Sequence, residues 1–144
     1  MARVLIIGYG NPLRSDDGFG WRAAERLRQL IDDPDVEVLV LHQLTPELME
    51  PLSRAQQAIF IDAAWPVKAG GGGSAPFTHH ATPSALVAGA RALYGRAAEA
   101  TVLTARGENF DFGERLSPVV EKALEETVEK VRAICRHSTP SGER

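Results

Sequence analysis

Three short stretches hold the residues whose types and spacing could do chemistry. The first is Gly8-Tyr9-Gly10-Asn11-Pro12-Leu13-Arg14-Ser15-Asp16-Asp17-Gly18-Phe19-Gly20, a glycine-rich loop in which two carboxylates stand side by side. The second is Asp62, which ends the apolar run Ala58-Ile59-Phe60-Ile61. The third is the pair His79-His80, followed closely by Thr82-Pro83. Carboxylates can take or give a proton at a reacting group. Two carboxylates and one imidazole also suit a borderline divalent ion, and three protein ligands leave positions open for substrate or water. The spacing is too wide for a local metal motif, so only the fold can gather them. Each residue also has a plainer reading. One of Asp16 and Asp17 caps the helix that follows, where unpaired N–H groups and the positive helix end favour a carboxylate, and the other is solvated. Asp62 is a strand-end aspartate bonded to loop amides, since an aspartate inside an apolar strand is costly unless paired. A histidine ahead of a helix is an ordinary surface residue. Capping accounts for only one of the two aspartates, which leaves Asp17 able to point back over the sheet edge.

The elements that must position these residues alternate in type. Residues 3–7 are a β-branched and leucine run that stops at Gly8 and reads as a buried, central strand. Residues 19–31 have helical period, with Trp21, Ala24, Leu27, Leu30 and Ile31 on one face and Arg22, Glu25, Arg26 and Gln29 opposite. Pro34 stops that helix. Residues 36–41 follow as a second strand. A short helix over 46–52 has Thr45 as its N-cap and Pro46 at its first position. Residues 58–63 are a third strand. The run Gly70 to Gly73 marks a flexible loop, and residues 75–78 are a candidate further strand. Thr82 caps a helix over 83–93 that Gly95 stops. After a strand over 101–104, Ser117-Pro118 repeats the cap-plus-proline signature and opens a helix reaching 136. Its apolar face is Val120, Leu124, Val128, Val131 and Ile134. The expectation is a single three-layer α/β/α domain over residues 1–136, with a largely parallel twisted sheet of about five strands. A disordered tail over 137–144 completes the chain. Such folds place their sites at the carboxyl ends of strands. Here those are the loops after Ile7, after Ile61 and around His79.

Composition narrows the partners. The chain has 144 residues, enough to bury one core without staples. Sixteen Lys+Arg against nineteen Asp+Glu give a formal net charge of −3, so nothing favours a nucleic acid by bulk electrostatics. A single cysteine, Cys135, excludes an internal disulfide framework and a Cys-rich metal site, and its place late in the last helix makes it buried and inert. The N-terminal apolar run is too short for a secretory signal, and no stretch approaches the roughly 20 apolar residues of a membrane span. A soluble, cytoplasmic, monomeric protein is expected. A dinucleotide fingerprint fails, because Leu13 stands at its third glycine, His42-Gln43 ends the second strand, and Asp16 and Asp17 would repel a pyrophosphate. The Gly-x-Gly-Asn-Pro start also resembles peptidyl-tRNA hydrolases, but their His-Asn pair is replaced here by Asp16-Asp17. There is no Gly-x-Ser-x-Gly nucleophile elbow. Trp21 and Trp65 read as core or groove aromatics.

The ordered set Gly8-x-Gly10-Asn11-x-Leu13-x-x-Asp16-Asp17-Gly18-x-Gly20, then Asp62 after an apolar strand, then His79 before a helix, resembles the NiFe-hydrogenase maturation endopeptidases. Gly107-Glu108, Phe112-Gly113 and Leu116-Ser117-Pro118 fit that family's last loop and helix. The resemblance implies an endopeptidase that removes the C-terminal extension of a hydrogenase large-subunit precursor once nickel is inserted. It implies Asp17, Asp62 and His79 as metal ligands, with His80 the neighbouring alternative to His79. Hydrolysis then uses either the metal as Lewis acid or a water activated by Asp17 or Asp16, the two candidate catalytic residues. Asp16 is assigned a supporting role as helix cap or as orienter of Asp17. The nickel is carried by the precursor, on the precursor's own cysteine thiolates, and no tightly bound organic cofactor is implied. Where some members have an aspartate and glycines after the second strand, this chain has His42-Gln43-Leu44-Thr45, which points to a different large-subunit partner. The competing class is a non-catalytic nickel-sensing chaperone or binding module for the large subunit.

Overall fold

Two strands are apolar on both faces, and they form the centre of the sheet. In a computed structural model that describes residues 3–64 and 81–137, β1 (Val4–Tyr9) and β3 (Gln57–Ala64) lie side by side. β2 (Val36–Leu41) flanks β1 and β4 (Glu99–Arg106) flanks β3, giving the order β2-β1-β3-β4 with every pair parallel. The α/β class expected from the sequence is the class observed, with four strands among the described residues. The candidate strand at 75–78, Trp65 and the run Gly70 to Gly73 lie outside them, as do residues 138–144 of the tail. The observed β4 extends beyond the expected 101–104 at both ends.

Parallel strands need crossovers, and helices supply them on both faces. The first turn of helix, Ser15–Gly18, leads into α1 (Phe19–Leu30). A second, Pro46–Leu48, leads into α2 (Met49–Arg54), and α3 (Pro83–Tyr94) and α4 (Pro118–His137) follow. Alternation along β1 divides the core. Val4 and Ile6 pack with Phe19, Ala23 and Leu27 of α1 and Val120, Leu124, Val128 and Val131 of α4. Leu5 and Ile7 pack on the other face with Leu48, Leu52, Leu86 and Ala90. Each fully buried Leu, Ile or Phe contributes about 2 kcal/mol. Among the described residues, no helix is long and apolar enough to cross a membrane.

Three local readings shift. The buried face of α1 runs through Phe19, Gly20, Ala23, Ala24 and Leu27, while Leu30 is exposed and Trp21 half-buried beside α4. Small residues win that face because α1 lies against Gly8, whose added Cβ would collide with the Gly20 carbonyl and Ala24. Thr45 does not cap by its side chain; its hydroxyl donates to Glu47 at 2.7 Å. On α4 the buried positions end with Cys135, and Ile134 is only partly covered. By contrast the ends of α3 are as expected. The Thr82 hydroxyl accepts from the Ala85 N–H at 3.1 Å, and Gly95 closes the helix at a φ of 84°, a conformation that only glycine adopts cheaply.

Candidate active site

The parallel register places the first two chemical stretches together. Gly8 lies opposite Ile61, so the next residues, Tyr9 and Asp62, stand side by side. Tyr9 ends β1, whereas β3 runs on past Asp62 to Ala64. Asp62 therefore does not end its strand as expected but pairs with Thr104 of β4. Both share strand parity with Ile7 and Phe60, on the α2/α3 face. The Tyr9 hydroxyl donates to Asp62 Oδ2 at 3.0 Å. Above them the first loop turns tightly into Ser15–Gly18. Gly20 sits against the Ile61 carbonyl so closely that a Cβ would collide with it, which brings the start of α1 down onto the end of β3. Gly10, at a φ of 146°, makes the same close approach to the Asp17 carbonyl. The motif glycines thus lower the aspartate pair onto the sheet end.

Asp17 and Asp62 face one another electrostatically. Burial pushes the Asp62 carboxyl up, the Tyr9 hydrogen bond pulls it back, and the nearby Asp17 carboxylate pushes it up again, to about 6. Burial raises the Tyr9 phenol well above its ordinary value, helped by the charge and hydrogen bond of Asp62. Half-buried Asp17 accepts from the Asn11 backbone N–H at 3.0 Å, through Oδ2. Asn11 in turn accepts from the Leu13 N–H at 2.9 Å, which fixes the loop. Two partly buried carboxylates of like charge form a place where a cation offsets both the burial and the repulsion.

Asp16 is built differently. It is 0% exposed, and its carboxylate accepts four hydrogen bonds from the last loop. Glu108 and Asn109 donate backbone N–H groups to Oδ2 at 2.8 and 3.0 Å, and Ser117 donates its N–H to Oδ1 at 2.7 Å and its hydroxyl to Oδ2 at 2.9 Å. Burial alone would raise this carboxyl; the donors outweigh it and hold the carboxyl below the ordinary range. Further bonds bind the two loops: Ser15 N–H to the Gly113 carbonyl, Gly113 N–H to that of Leu13, and Asp16 N–H to that of Asn109, each at 2.9 Å. Ser15 adds its hydroxyl to the Asp111 carbonyl at 2.8 Å and holds a φ of 51°, unusual for a residue with a side chain. Neither aspartate caps α1 by its side chain, which corrects the capping expectation: Asp16 faces the last loop and Asp17 faces the loop start.

His79 and His80 lie outside the described residues. The described chain nonetheless enters α3 at the right end: a connection from the carboxyl end of β3 to the start of parallel β4 must begin its helix at the site end of the sheet. Among the described residues no group of three His, Cys, Asp or Glu side chains is gathered for a metal; Asp17 and Asp62 are a pair. Tyr9 is the residue that sequence reading missed. Its only signal is its place next to Gly8, which means nothing until the β1–β3 register is known.

No protein-family model matches the chain, and no curated protein matches it. Solved structures do. HycI, a NiFe hydrogenase maturation protease from Thermococcus kodakarensis KOD1, superposes with a TM-score of 0.73 at 22% identity, covering 94% of each chain. The hydrogenase maturating endopeptidase HybD from E. coli gives 0.73 at 26% identity, over 93% of this chain and 92% of that one. The chain has the fold of the NiFe hydrogenase maturation proteases. A hydrogenase 2 maturation peptidase from a Thaumarchaeota archaeon agrees, with a TM-score of 0.67 at 23% identity, over 94% of this chain and 99% of that one. The likeness read from the loop motif, Asp62 and the last helix is therefore a likeness of the whole architecture.

Proposed function

We propose that this chain is an endopeptidase of NiFe-hydrogenase maturation. It removes the C-terminal extension of the large-subunit precursor after nickel insertion, and it uses the precursor's nickel for recognition. The observation that carries the reading is the Asp17–Asp62 pair, one carboxylate from the helical turn after β1 and one from the last residues of β3, on the fold shared with maturation proteases. A buried carboxylate pushed up to about 6 beside a second carboxylate fits a divalent cation as the missing partner. The thiolates come from the precursor, since this chain's one cysteine, Cys135, is buried on α4 far along the chain from the loop.

In this reading Asp17, Asp62 and His79 fill positions on the substrate's nickel, so a precursor without nickel does not dock. The ion supplies positive charge and Lewis acidity at the scissile region. Asp17 meets the ion through Oδ1 and accepts a proton from the attacking water at Oδ2, which keeps a second lone pair beside the Asn11 N–H. Asp16, with both oxygens engaged, positions its neighbour and the last loop.

The test is a single mixture: this protein with large-subunit precursor, nickel-loaded or nickel-free, and the product mass measured. Shortening of the nickel-loaded precursor alone is expected. Asp17→Asn, Asp62→Asn and His79→Ala each abolish it while remaining folded, and His80→Ala leaves it close to the unaltered rate. Cleavage of nickel-free precursor overturns recognition through nickel. Nickel-dependent binding with no cleavage assigns the chain to the chaperone class.

A further inference from the structure

We propose that Tyr9 is a positioning residue of this site: its hydroxyl holds one oxygen of Asp62, so that Asp62 presents its carboxylate to the substrate's divalent cation through the other oxygen. The inference rests on the reading of Asp62 as a ligand given above. The Tyr9 ring packs against the cluster that α2 and α3 form on the sheet, beside Leu39 and Leu41, so its position is set by the core. A phenol has two side-chain torsions, and packing of the ring fixes both. The hydroxyl can then act as a fixed donor, and Asp62 Oδ2 receives it at 3.0 Å. Rotation of the carboxylate is thereby restricted before any ion arrives.

The chemistry of ligand carboxylates makes this arrangement consequential. A carboxylate free to turn can chelate an ion through both oxygens or swing away from it. One whose second oxygen is taken by a donor binds through a single oxygen in one direction. A divalent ion that already carries several ligands from elsewhere has few positions left, and a single oxygen offered in one direction suits it. The nickel of a precursor is such an ion, because its thiolates leave few positions open. Asp17 shows the same device, with the Asn11 N–H engaging its Oδ2. Both carboxylates thus offer one engaged oxygen and one available.

The experiment uses the full chain and Ni2+ alone, titrated to millimolar concentration and followed by calorimetry. Tyr9→Phe keeps the ring and its packing and removes only the hydroxyl. Loss of an outer hydrogen bond of this kind lowers metal affinity by about 10- to 100-fold. That weakening is expected here, with the melting temperature of the metal-free protein within a few degrees of the unaltered chain. Asp62→Asn is expected to lose the ion more completely, and adding Tyr9→Phe to it should cost nothing further. Weakening of equal size in both backgrounds overturns the proposal, because Tyr9 would then act without Asp62. Unchanged binding by Tyr9→Phe beside lost binding by Asp62→Asn overturns the Tyr9 assignment alone. Unaltered protein that takes up no Ni2+, or Asp62→Asn that binds as well as the unaltered chain, overturns the reading of the site and this inference with it.

Discussion

Asp16 and Asp17 are neighbours in sequence and opposites in surroundings. The region around Asp16 is a clasp between the first and last loops, in which a fully buried carboxylate meets four donors and stays below its ordinary pKa. The region around Asp17 and Asp62 lies over the carboxyl end of β1, where two carboxylates meet one donor each, from Asn11 and Tyr9, and Asp62 is pushed up to about 6. Burial by itself therefore does not mark the chemical site. Burial with its donors supplied makes a structural anchor, and burial with too few donors makes a place for a cation. The glycines of the motif serve both regions at once, because a loop pulled tight onto the sheet must direct one aspartate to each side.

The comparison breaks most readily at the anchor. In Asp16→Asn an amide NH2 is set among N–H donors, and at least one of the bonds from Glu108, Asn109 or Ser117 is lost without replacement. A buried, charge-assisted set of this kind is expected to cost about 3 kcal/mol in urea unfolding. The folded carboxyl lies below its unfolded value, so its contribution is fully present above the unfolded pKa of about 4 and is lost as pH falls through the folded value. The gap between the unaltered chain and the variant should accordingly narrow below pH 4. A variant as stable as the unaltered chain at pH 7 would remove the anchor from the comparison.

At the strand end the sign reverses. Asp62 has a folded pKa of about 6 against an ordinary 3.8, so the folded state favours its protonated form. Its ionisation lowers stability progressively between about pH 4 and 6, and the full cost remains above that. Asp62→Asn, the variant proposed above to lose processing, is therefore expected to stabilise the metal-free protein by about 2 kcal/mol at pH 7.5 and by nearly nothing at pH 4. Chemical denaturation at the two pH values checks this. A loss of stability at pH 7.5 would show that Asp62 is as well supplied as Asp16.

What the sequence disclosed of these regions followed the range of the forces involved. The cap at Thr82 and the stop at Gly95 depend on residues within one helical turn, and both were legible. The two central strands were legible too, and with them the nearness of the first loop to Asp62, because burial on both faces of β1 and β3 leaves continuous apolar runs. The face of α1 was not: periodicity favours Trp21, but the close approach to Gly8 admits only Gly20 and Ala24 there. Ser117 looked like a helix cap from its proline neighbour, yet its hydroxyl serves a carboxylate 101 residues earlier in the chain. Tyr9 needed the β1–β3 register, and the opposite fates of Asp16 and Asp17 needed the last loop in place.

Ser117 also provides the finest measure of the comparison. Its hydroxyl gives Asp16 one of the four hydrogen bonds, at 2.9 Å, while its backbone N–H supplies another that no side-chain substitution removes. Ser117→Ala therefore subtracts a single donor and leaves three. The carboxylate stays mostly satisfied and the loop bonds from Ser15, Asp16 and Gly113 remain, so the expected cost is about 1 kcal/mol by urea unfolding at pH 7. Processing of nickel-loaded precursor should stay within a few-fold of normal, because the strand-end pair loses nothing. In the Asp16→Asn background the same substitution should cost less, since an amide accepts the hydroxyl more weakly than a carboxylate does. Equal costs in the two backgrounds would mean that the hydroxyl stabilises the start of α4 and not the anchor.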